Sequence, residues 1–233
     1  MIKAILFDFN GVIIDDEALQ MKAYQEALGT LGIKLTEEEY YSALGMDDAT
    51  FVRTAFERAG KTTDDETMRT LIERKSELHR QLLEDELPFF PGVVTFIKAT
   101  SRRYRLGLVS MARRVEIDHV LERAHLEQFF TAIVSAEDAH TCKPDPCCYQ
   151  RALERLNDKQ RAAGRPPLAP DECLVIEDAP PGVQAGRAAG MRTLGVTNTV
   201  AERALREAGA DVVTRSLADW TTDAVHHVFD IYD

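Results

Sequence analysis

The chain has 233 residues, of which 45% are hydrophobic and 29% charged, and its formal net charge is −11. This balance is typical of a globular protein with a substantial core, and the excess of acidic residues argues against nucleic acid or an anionic membrane as the main partner. No segment reaches the roughly 20 apolar residues of a membrane span, the first residues lack a signal-type pattern, and the four cysteines fit no zinc spacing. We therefore expect a cytoplasmic protein with free thiols, and take a monomer as the default.

Short apolar runs rich in β-branched residues predict strands that alternate with helices. The runs are Ala4–Phe9, Leu106–Ser110, Ala132–Ser135, Leu174–Glu177, Thr193–Val196 and a weaker one at Asp211–Thr214. Strands that alternate with helices indicate a parallel sheet covered on both faces, and continuous apolar runs fit strands buried on both sides. The sequence therefore predicts the α/β class, with a Rossmann-like, doubly wound parallel sheet.

Residues 16–87 differ in character from the rest of the chain. They are polar, rich in Glu, Lys, Arg and Ala, and carry apolar residues at helical spacing. Three glycines divide this stretch into three or four helices: Gly32, Gly45 and Gly60. We predict an α/β core formed by residues 1–15 and 88–233, with residues 16–87 inserted as an all-helical cap over the carboxyl edge of the sheet.

Asp8 lies at the carboxyl end of the first predicted strand, and Asn10-Gly11 come directly after that strand. Strand side chains alternate, so Asp8 and Asn10 are expected to project from the same side and act on one substrate atom. Gly11 allows the backbone to turn close to a ligand. An amide cannot take up and release a proton as a carboxylate does, so the pair resembles an acid–base site that lacks its acid.

The second predicted strand ends in Ser110, ahead of a helix expected to begin near Arg113. The Ser110 hydroxyl and the backbone N–H groups of Met111 and Ala112 can form a phosphate cradle at such a helix start. Taken alone, a serine at a strand end is more often a turn or cap residue.

Two further predicted site segments carry charge. Lys143 precedes Pro144 and a helix, where it can neutralise an anion and hold a nucleophilic carboxylate ionised. Glu177 and Asp178 end the fourth run, and adjacent carboxylates suit a hard cation such as Mg²⁺. Singly, the lysine reads as a solvated loop residue and Asp178 as a helix N-cap. Together with the first two strand ends they meet at the edge where open α/β sheets bind ligands.

With these strand ends, the sequence resembles the haloacid dehalogenase superfamily of aspartate-nucleophile phosphotransferases. The four family motifs are matched by DFNGVIID, by the Ser110 strand end, by Lys143-Pro144 and by VIEDAPPGVQAGRAAGM, over nearly the whole chain. The resemblance implies that Asp8 attacks phosphorus. The implied Mg²⁺ ligands are Asp8, the Asn10 backbone carbonyl, Asp178 and, directly or through water, Glu177. The implied stabilisers of phosphoryl charge are Ser110, the Met111 N–H and Lys143.

Asn10 departs from the family pattern. Family phosphatases and mutases carry Asp at this position, which protonates the leaving oxygen and later activates water, and loss of such a group costs about 10²–10⁴ in rate. Three hypotheses follow. The chain is an engineered variant that traps a complex, a natural enzyme that turns over slowly or recruits another base, or a latent enzyme in which attack by the Gly11 nitrogen deamidates Asn10 to Asp.

Within the superfamily, the nearest resemblance is to β-phosphoglucomutases and related sugar-phosphate phosphatases. Lys75, in the segment LIERK, resembles a mutase lysine that faces the substrate, and Arg113 is a further candidate to grip phosphate. Other mutase features are absent, since Asp48 stands where mutases place a phosphate-gripping arginine and Gln20 where they place a histidine.

The resemblance implies a Mg²⁺-dependent phosphoric monoester hydrolase that acts on a small phosphorylated metabolite, with a sugar phosphate as one possibility. Two alternatives stay open. The first is a phosphomutase of the β-phosphoglucomutase type. The second is a catalytically weak pseudo-phosphatase that binds phosphate or a partner protein.

Overall fold

The computed structural model describes residues 1–230, so the last three residues of the predicted core range lie outside the described residues. The strands are β1 (Ala4–Phe7), β2 (Arg105–Val109), β3 (Phe130–Val134), β4 (Cys173–Glu177), β5 (Arg192–Val196) and β6 (Val212–Thr214). The helices are α1 (Glu17–Gly29), α2 (Glu37–Tyr41), α3 (Asp48–Arg58), α4 (Asp65–Leu82), α5 (Val93–Thr100), α6 (Arg114–Ala124), α7 (Cys147–Ala162), α8 (Pro180–Ala188), α9 (Glu202–Glu207) and α10 (Thr222–Asp230). Within residues 1–230, each helix is too short or too polar to cross a bilayer.

All six strands run parallel in one sheet, in the order β3-β2-β1-β4-β5-β6. The central strand β1 is buried along its whole length. Ile5 and Phe7 pack into the hydrophobic cluster on one face, whereas Ala4 and Leu6 pack into the cluster on the other. Because both faces are covered, an apolar run without polar alternation is stable as a strand here. The predicted Rossmann-like sheet is confirmed.

Helices α1 to α4 follow β1 and pack around a hydrophobic cluster of their own, which includes Tyr24, Phe51 and Leu71. The three glycines noted in this segment each have a positive φ just beyond a helix end, at 67° for Gly32, 86° for Gly45 and 65° for Gly60. Glycine adopts this conformation without the steric cost of a Cβ atom, so Gly32 and Gly60 let the chain turn after α1 and α3, and Gly45 lies in the turn between α2 and α3. The exact boundaries of the cap at residues 16 and 87 stay a prediction.

The strand β1 is shorter than predicted, since it ends at Phe7 and not at Phe9. The chain turns directly after Asp8, and the Phe9 carbonyl accepts a hydrogen bond from the Ile13 N–H at 2.8 Å. Asp8 and Asn10 do line the same cavity, as expected, but strand alternation is not the reason, because both residues lie beyond the end of β1. The turn itself decides the position of Asn10.

The helix starts near the predicted site also differ from expectation. The residue that caps α8 is Ala179, so Asp178 does not serve as the N-cap and its carboxylate stays at the end of β4. Helix α7 begins at Cys147, four residues after Lys143, and continues to Ala162. The polar segment 157–170 carries three prolines and a glycine, a composition typical of a loop, but its first six residues belong to α7.

The close approach of α8 to β4 gives a test of this packing. A Cβ atom at Gly182 would lie 1.9–2.0 Å from the Glu177 carboxyl group, whereas a Cβ atom at Gly29 would meet nothing within 4 Å. We expect Gly182→Ala to lower the free energy of unfolding by about 1–3 kcal/mol. The matched helical control Gly29→Ala should leave it unchanged or raise it by up to about 1 kcal/mol. Urea denaturation measures both, and equal effects would contradict the close approach.

Candidate active site

A cavity at the carboxyl edge of the sheet is bounded by the core on one side and by α1 to α4 on the other. The core contributes residues from strand ends and the loop before α7: Asp8, Asn10, Ser110, Met111, Ala112, Lys143, Glu177 and Asp178. The helices contribute polar and aromatic side chains: Glu17, Gln20, Tyr24, Tyr40, Asp48, Phe51 and Lys75. All of the predicted site residues except Gly11 and Arg113 therefore line one cavity.

Lys143 links two of the carboxylates in this cavity. Its Nζ lies 2.9 Å from Asp8 Oδ1 and 2.7 Å from Glu177 Oε1, and its side chain is almost fully buried. Burial alone lowers the pKa of Lys143, but the charges of Asp8 and Glu177 outweigh that effect and raise the pKa above its usual value. The Tyr149 hydroxyl also donates to Glu177 Oε1. Lys143 is therefore a fixed ammonium group beside the Asp8 carboxylate.

Three acidic residues surround the Lys143 ammonium group, so negative charge is in excess at this end of the cavity. Asp8, Glu177 and Asp178 each offer a carboxylate oxygen, and the three oxygens lie within 4.8 Å of one another. Burial, followed by the charge of Asp8, raises the pKa of both Glu177 and Asp178 well above the usual range. A divalent cation would offset the remaining negative charge, and Mg²⁺ prefers oxygen ligands of this kind. The residues present therefore fit Mg²⁺.

The Asn10 side chain is held in one orientation by the residues around it. Its Nδ2 donates to both carboxylate oxygens of Asp16, at 3.0 and 2.9 Å, and its Oδ1 lies 3.4 Å from the Ser110 hydroxyl. Asp16 is fully buried and also contacts His79 Nε2 at 2.9 Å and Gln20 Nε2 at 3.3 Å. The amide at position 10 is thus the partner of a buried carboxylate, and a second carboxylate there would repel the first.

The predicted phosphate cradle is only partly available to a ligand. The Ala112 N–H donates to the Ser110 hydroxyl at 3.0 Å and the Gly11 N–H to the Ile14 carbonyl at 2.9 Å. Among residues 1–230, the Met111 N–H has no hydrogen-bond partner. Gly11 has a φ of +75°, and a Cβ atom on it would lie 2.0 Å from Asp178 Oδ2. Gly11 therefore allows the turn to lie close to Asp178, and the Met111 N–H is the donor that is available to a ligand.

The two predicted cationic contacts differ in their placement. Lys75 lines the cavity, but its Nζ already contacts Asp48 Oδ1 at 3.2 Å and Glu116 Oε1 at 3.1 Å. The Arg113 guanidinium donates to the Ser76 hydroxyl at 3.1 Å and lies outside the cavity lining. Neither side chain is an unpaired cation that faces the cavity.

Several residues of the site were not predicted from the sequence. Asp16 is buried under Asn10, whereas its neighbour Asp15 is exposed. Glu17 lines the cavity beside them. The acidic run at 15–17 was visible in the sequence, but nothing in it indicates which carboxylate is buried and which faces the cavity.

Comparisons with known proteins show a family for this chain and solved structures with the same fold. Residues 5–196 match the family described as haloacid dehalogenase-like hydrolase. The chain is 30% identical over 214 residues to a phosphorylated carbohydrates phosphatase of Thermotoga maritima, covering 89% of this chain and 92% of that one. It is 26% identical to the fructose-1-phosphate phosphatase YqaB of Escherichia coli, covering 82% and 95%. A β-phosphoglucomutase structure from Clostridium difficile shares the fold, with a TM-score of 0.84 at 23% identity, covering 100% and 99%.

The Asn10–Asp16 pair gives a stability prediction. In Asn10→Asp, the carboxylate at position 10 would face Asp16, and the repulsion raises the pKa of one acid in the folded state above its unfolded value. The penalty is therefore absent when both acids are protonated and grows as the pH rises through that folded pKa. Relative to the unchanged chain, we expect a loss of about 1–3 kcal/mol of unfolding free energy at pH 8 and less at pH 5.

The double variant Asn10→Asp/Asp16→Asn exchanges the two groups and should recover most of the stability at pH 8. Urea denaturation in the presence of a chelator separates this effect from metal binding. If Asn10→Asp matches the unchanged chain at both pH values, the pair does not contribute to stability.

Proposed function

The chain belongs to the haloacid dehalogenase-like hydrolase family, and on that premise we propose that it is a Mg²⁺-dependent phosphatase that hydrolyses a small phosphorylated sugar. The observation that carries the proposal is the Asp8 carboxylate beside the buried Lys143 ammonium, in a cavity with the further acids Glu177 and Asp178. The relatives named as phosphatases of phosphorylated carbohydrates and of fructose 1-phosphate support the choice of substrate class.

The first chemical step forms a covalent intermediate on Asp8. An Asp8 oxygen attacks phosphorus as the bond to the sugar oxygen breaks, and water later attacks phosphorus and releases phosphate. The Lys143 ammonium contacts Asp8 and, with the free Met111 N–H and the Ser110 hydroxyl, stabilises the negative charge on the phosphoryl oxygens. When bound, Mg²⁺ would be held by Asp8, Asp178 and the Asn10 carbonyl, with Glu177 directly or through water, and would offset phosphoryl charge.

The helical side of the cavity favours a monophosphate substrate over a bisphosphate. Two buried oxygens of residues that line it, Asp48 Oδ2 and Gln20 Oε1, have no hydrogen-bond partner among residues 1–230. Asp48 lines the cavity, so its negative charge would repel a second phosphate, whereas the hydroxyl groups of a sugar carry no charge for it to repel. Lys75 does not reverse this preference, because Asp48 and Glu116 already balance its charge. We therefore favour a phosphatase over a mutase that handles a bisphosphate.

A second candidate function is a pseudo-phosphatase, and the fixed amide of Asn10 is the observation that favours it. Deamidation of Asn10 to a latent acid stays a hypothesis. The Gly11 N–H is bonded to the Ile14 carbonyl and the Asn10 amide to Asp16, so the turn would have to open before the attack. We expect deamidation to be slow in the folded protein, and intact mass of aged against fresh protein tests this.

The nucleophile is tested with Asp8→Ala. Phosphate release is measured over a panel of sugar monophosphates with Mg²⁺, for the unchanged chain, for Asp8→Ala and for Asp15→Ala, which removes an exposed carboxylate of the same motif. We expect the first variant to lose at least about 10³-fold in kcat and the second to keep the activity of the unchanged chain. Activity that survives Asp8→Ala would overturn the mechanism.

The preference for one phosphate is tested by comparing a hexose monophosphate with the matching bisphosphate. Charge repulsion between Asp48 and the second phosphate should give the monophosphate at least about a tenfold higher kcat/KM than the bisphosphate. Asp48→Asn removes the negative charge with little change in shape, and should narrow that ratio. Equal kcat/KM values in the unchanged chain, or conversion between phosphate isomers without phosphate release, would favour a mutase instead.

A further inference from the structure

Hydrolysis of a sugar phosphate needs a side chain that donates and accepts a proton, and Asn10 is not such a residue. A sugar alkoxide is a poor leaving group, so its oxygen must be protonated as the bond to phosphorus breaks, and the attacking water must later lose a proton. The Asn10 amide can do neither, and its Nδ2 is occupied by Asp16. If the proposed function holds, another side chain in the cavity has to transfer this proton.

Most acids near the cavity are already engaged. Asp8 is the proposed nucleophile, and Glu177 and Asp178 form the acidic cluster with it. Asp48 and Glu116 are both paired with Lys75, and Asp16 is fully buried beneath Asn10. One further carboxylate in the described lining has none of these commitments: Glu17.

Glu17 is well placed to face a substrate. It is the first residue of α1, directly after Asp16, so the turn that orients Asn10 also brings Glu17 to the cavity. Its side chain is partly exposed, and the hydroxyl of the buried Tyr40 on α2 donates to Glu17 Oε2 at 2.5 Å. Tyr40 lines the same cavity. One oxygen of the carboxyl group is thus anchored while the group stays open to a ligand.

We propose that Glu17 is the general acid and base of this enzyme, in the place that Asn10 leaves vacant. In the first step its proton passes to the sugar oxygen as the Asp8–phosphorus bond forms and the phosphorus–sugar oxygen bond breaks. In the second step its carboxylate takes a proton from water as the water oxygen bonds to phosphorus and the Asp8–phosphorus bond breaks. The sugar and phosphate leave, and Glu17 is protonated again.

The surroundings of Glu17 support this role. Burial, followed by the charge of Asp16, raises the pKa of Glu17 to about 7, with a smaller rise from Asp8, while the Tyr40 hydrogen bond and Lys75 act in the opposite direction. A group with a pKa near neutrality can both give and accept a proton at physiological pH. The titratable groups that face it are Asp16 from its own turn, Asp8, Tyr40 and Tyr41 from α2, Lys75 from α4, and Asp178.

The test compares Glu17→Gln with Glu26→Gln, an exposed carboxylate on the same helix, in the full chain with Mg²⁺. On a sugar monophosphate we expect Glu17→Gln to lose about 10²–10⁴-fold in kcat and the control to keep full activity. A leaving group that needs no proton separates a catalytic from a structural role. With p-nitrophenyl phosphate, Glu17→Gln should still release a rapid first turnover of nitrophenol, at a rate within about threefold of the unchanged chain, followed by slow turnover because water is no longer deprotonated.

The pH profile gives a second, independent readout. Tyr40→Phe removes a hydrogen bond that lowers the pKa of Glu17, so the limb of the kcat–pH profile that reports the titration of Glu17 should move to higher pH. Glu17→Gln should abolish that limb. Two outcomes overturn the assignment while leaving the proposed function intact: Glu17→Gln active with the sugar phosphate, or the first nitrophenol turnover slowed as much as sugar hydrolysis. An unchanged chain without activity on any sugar phosphate would overturn the proposed function, and this assignment with it.

Discussion

The ammonium group of Lys143 lies between Asp8 and Glu177, and the chemistry of the site depends on this buried contact. Buried carboxylates that face one another without a cation are costly, because neither water nor an opposite charge stabilises them. Tyr149 orients Glu177 from α7, and the bare backbone at Gly182 lets α8 pack against it. The sheet edge, the loop before α7 and the start of α8 must therefore fit together before Asp8 lies beside the Lys143 ammonium group.

The same electrostatic constraint explains Asn10. A carboxylate at position 10 would stand beside the buried Asp16, whereas an amide donates to both of its oxygens. The negative charge therefore lies on Asp16, directly before α1, and not at position 10. The side chains of His79 and Gln20 also contact the Asp16 carboxylate. Asn10 is thus fixed by its hydrogen bonds to Asp16, and another side chain, which we propose to be Glu17, has to transfer the proton.

The sequence alone allowed us to predict the sheet and the residues that meet at its carboxyl edge. Continuous apolar runs are stable as strands only when both faces are covered, so ILF and LVI indicated a parallel sheet without any knowledge of the contacts. Polar residues after those runs had to meet at one edge, which is why Asp8, Ser110 and Asp178 were predicted together. The local geometry was less accessible, since β1 ends at Phe7 and the turn, not strand alternation, orients Asn10.

The sequence by itself determined the α/β class, the order of the strands along the chain and the residue types of the catalytic edge, because these follow from local hydrophobic patterns. Only the tertiary structure decided which charges meet. Lys75 reads as a free cation in the sequence but is paired with Asp48 and Glu116, which lie 27 and 41 residues away along the chain. Burial, pairing and pKa depend on neighbours brought together by folding, and no local pattern carries that information.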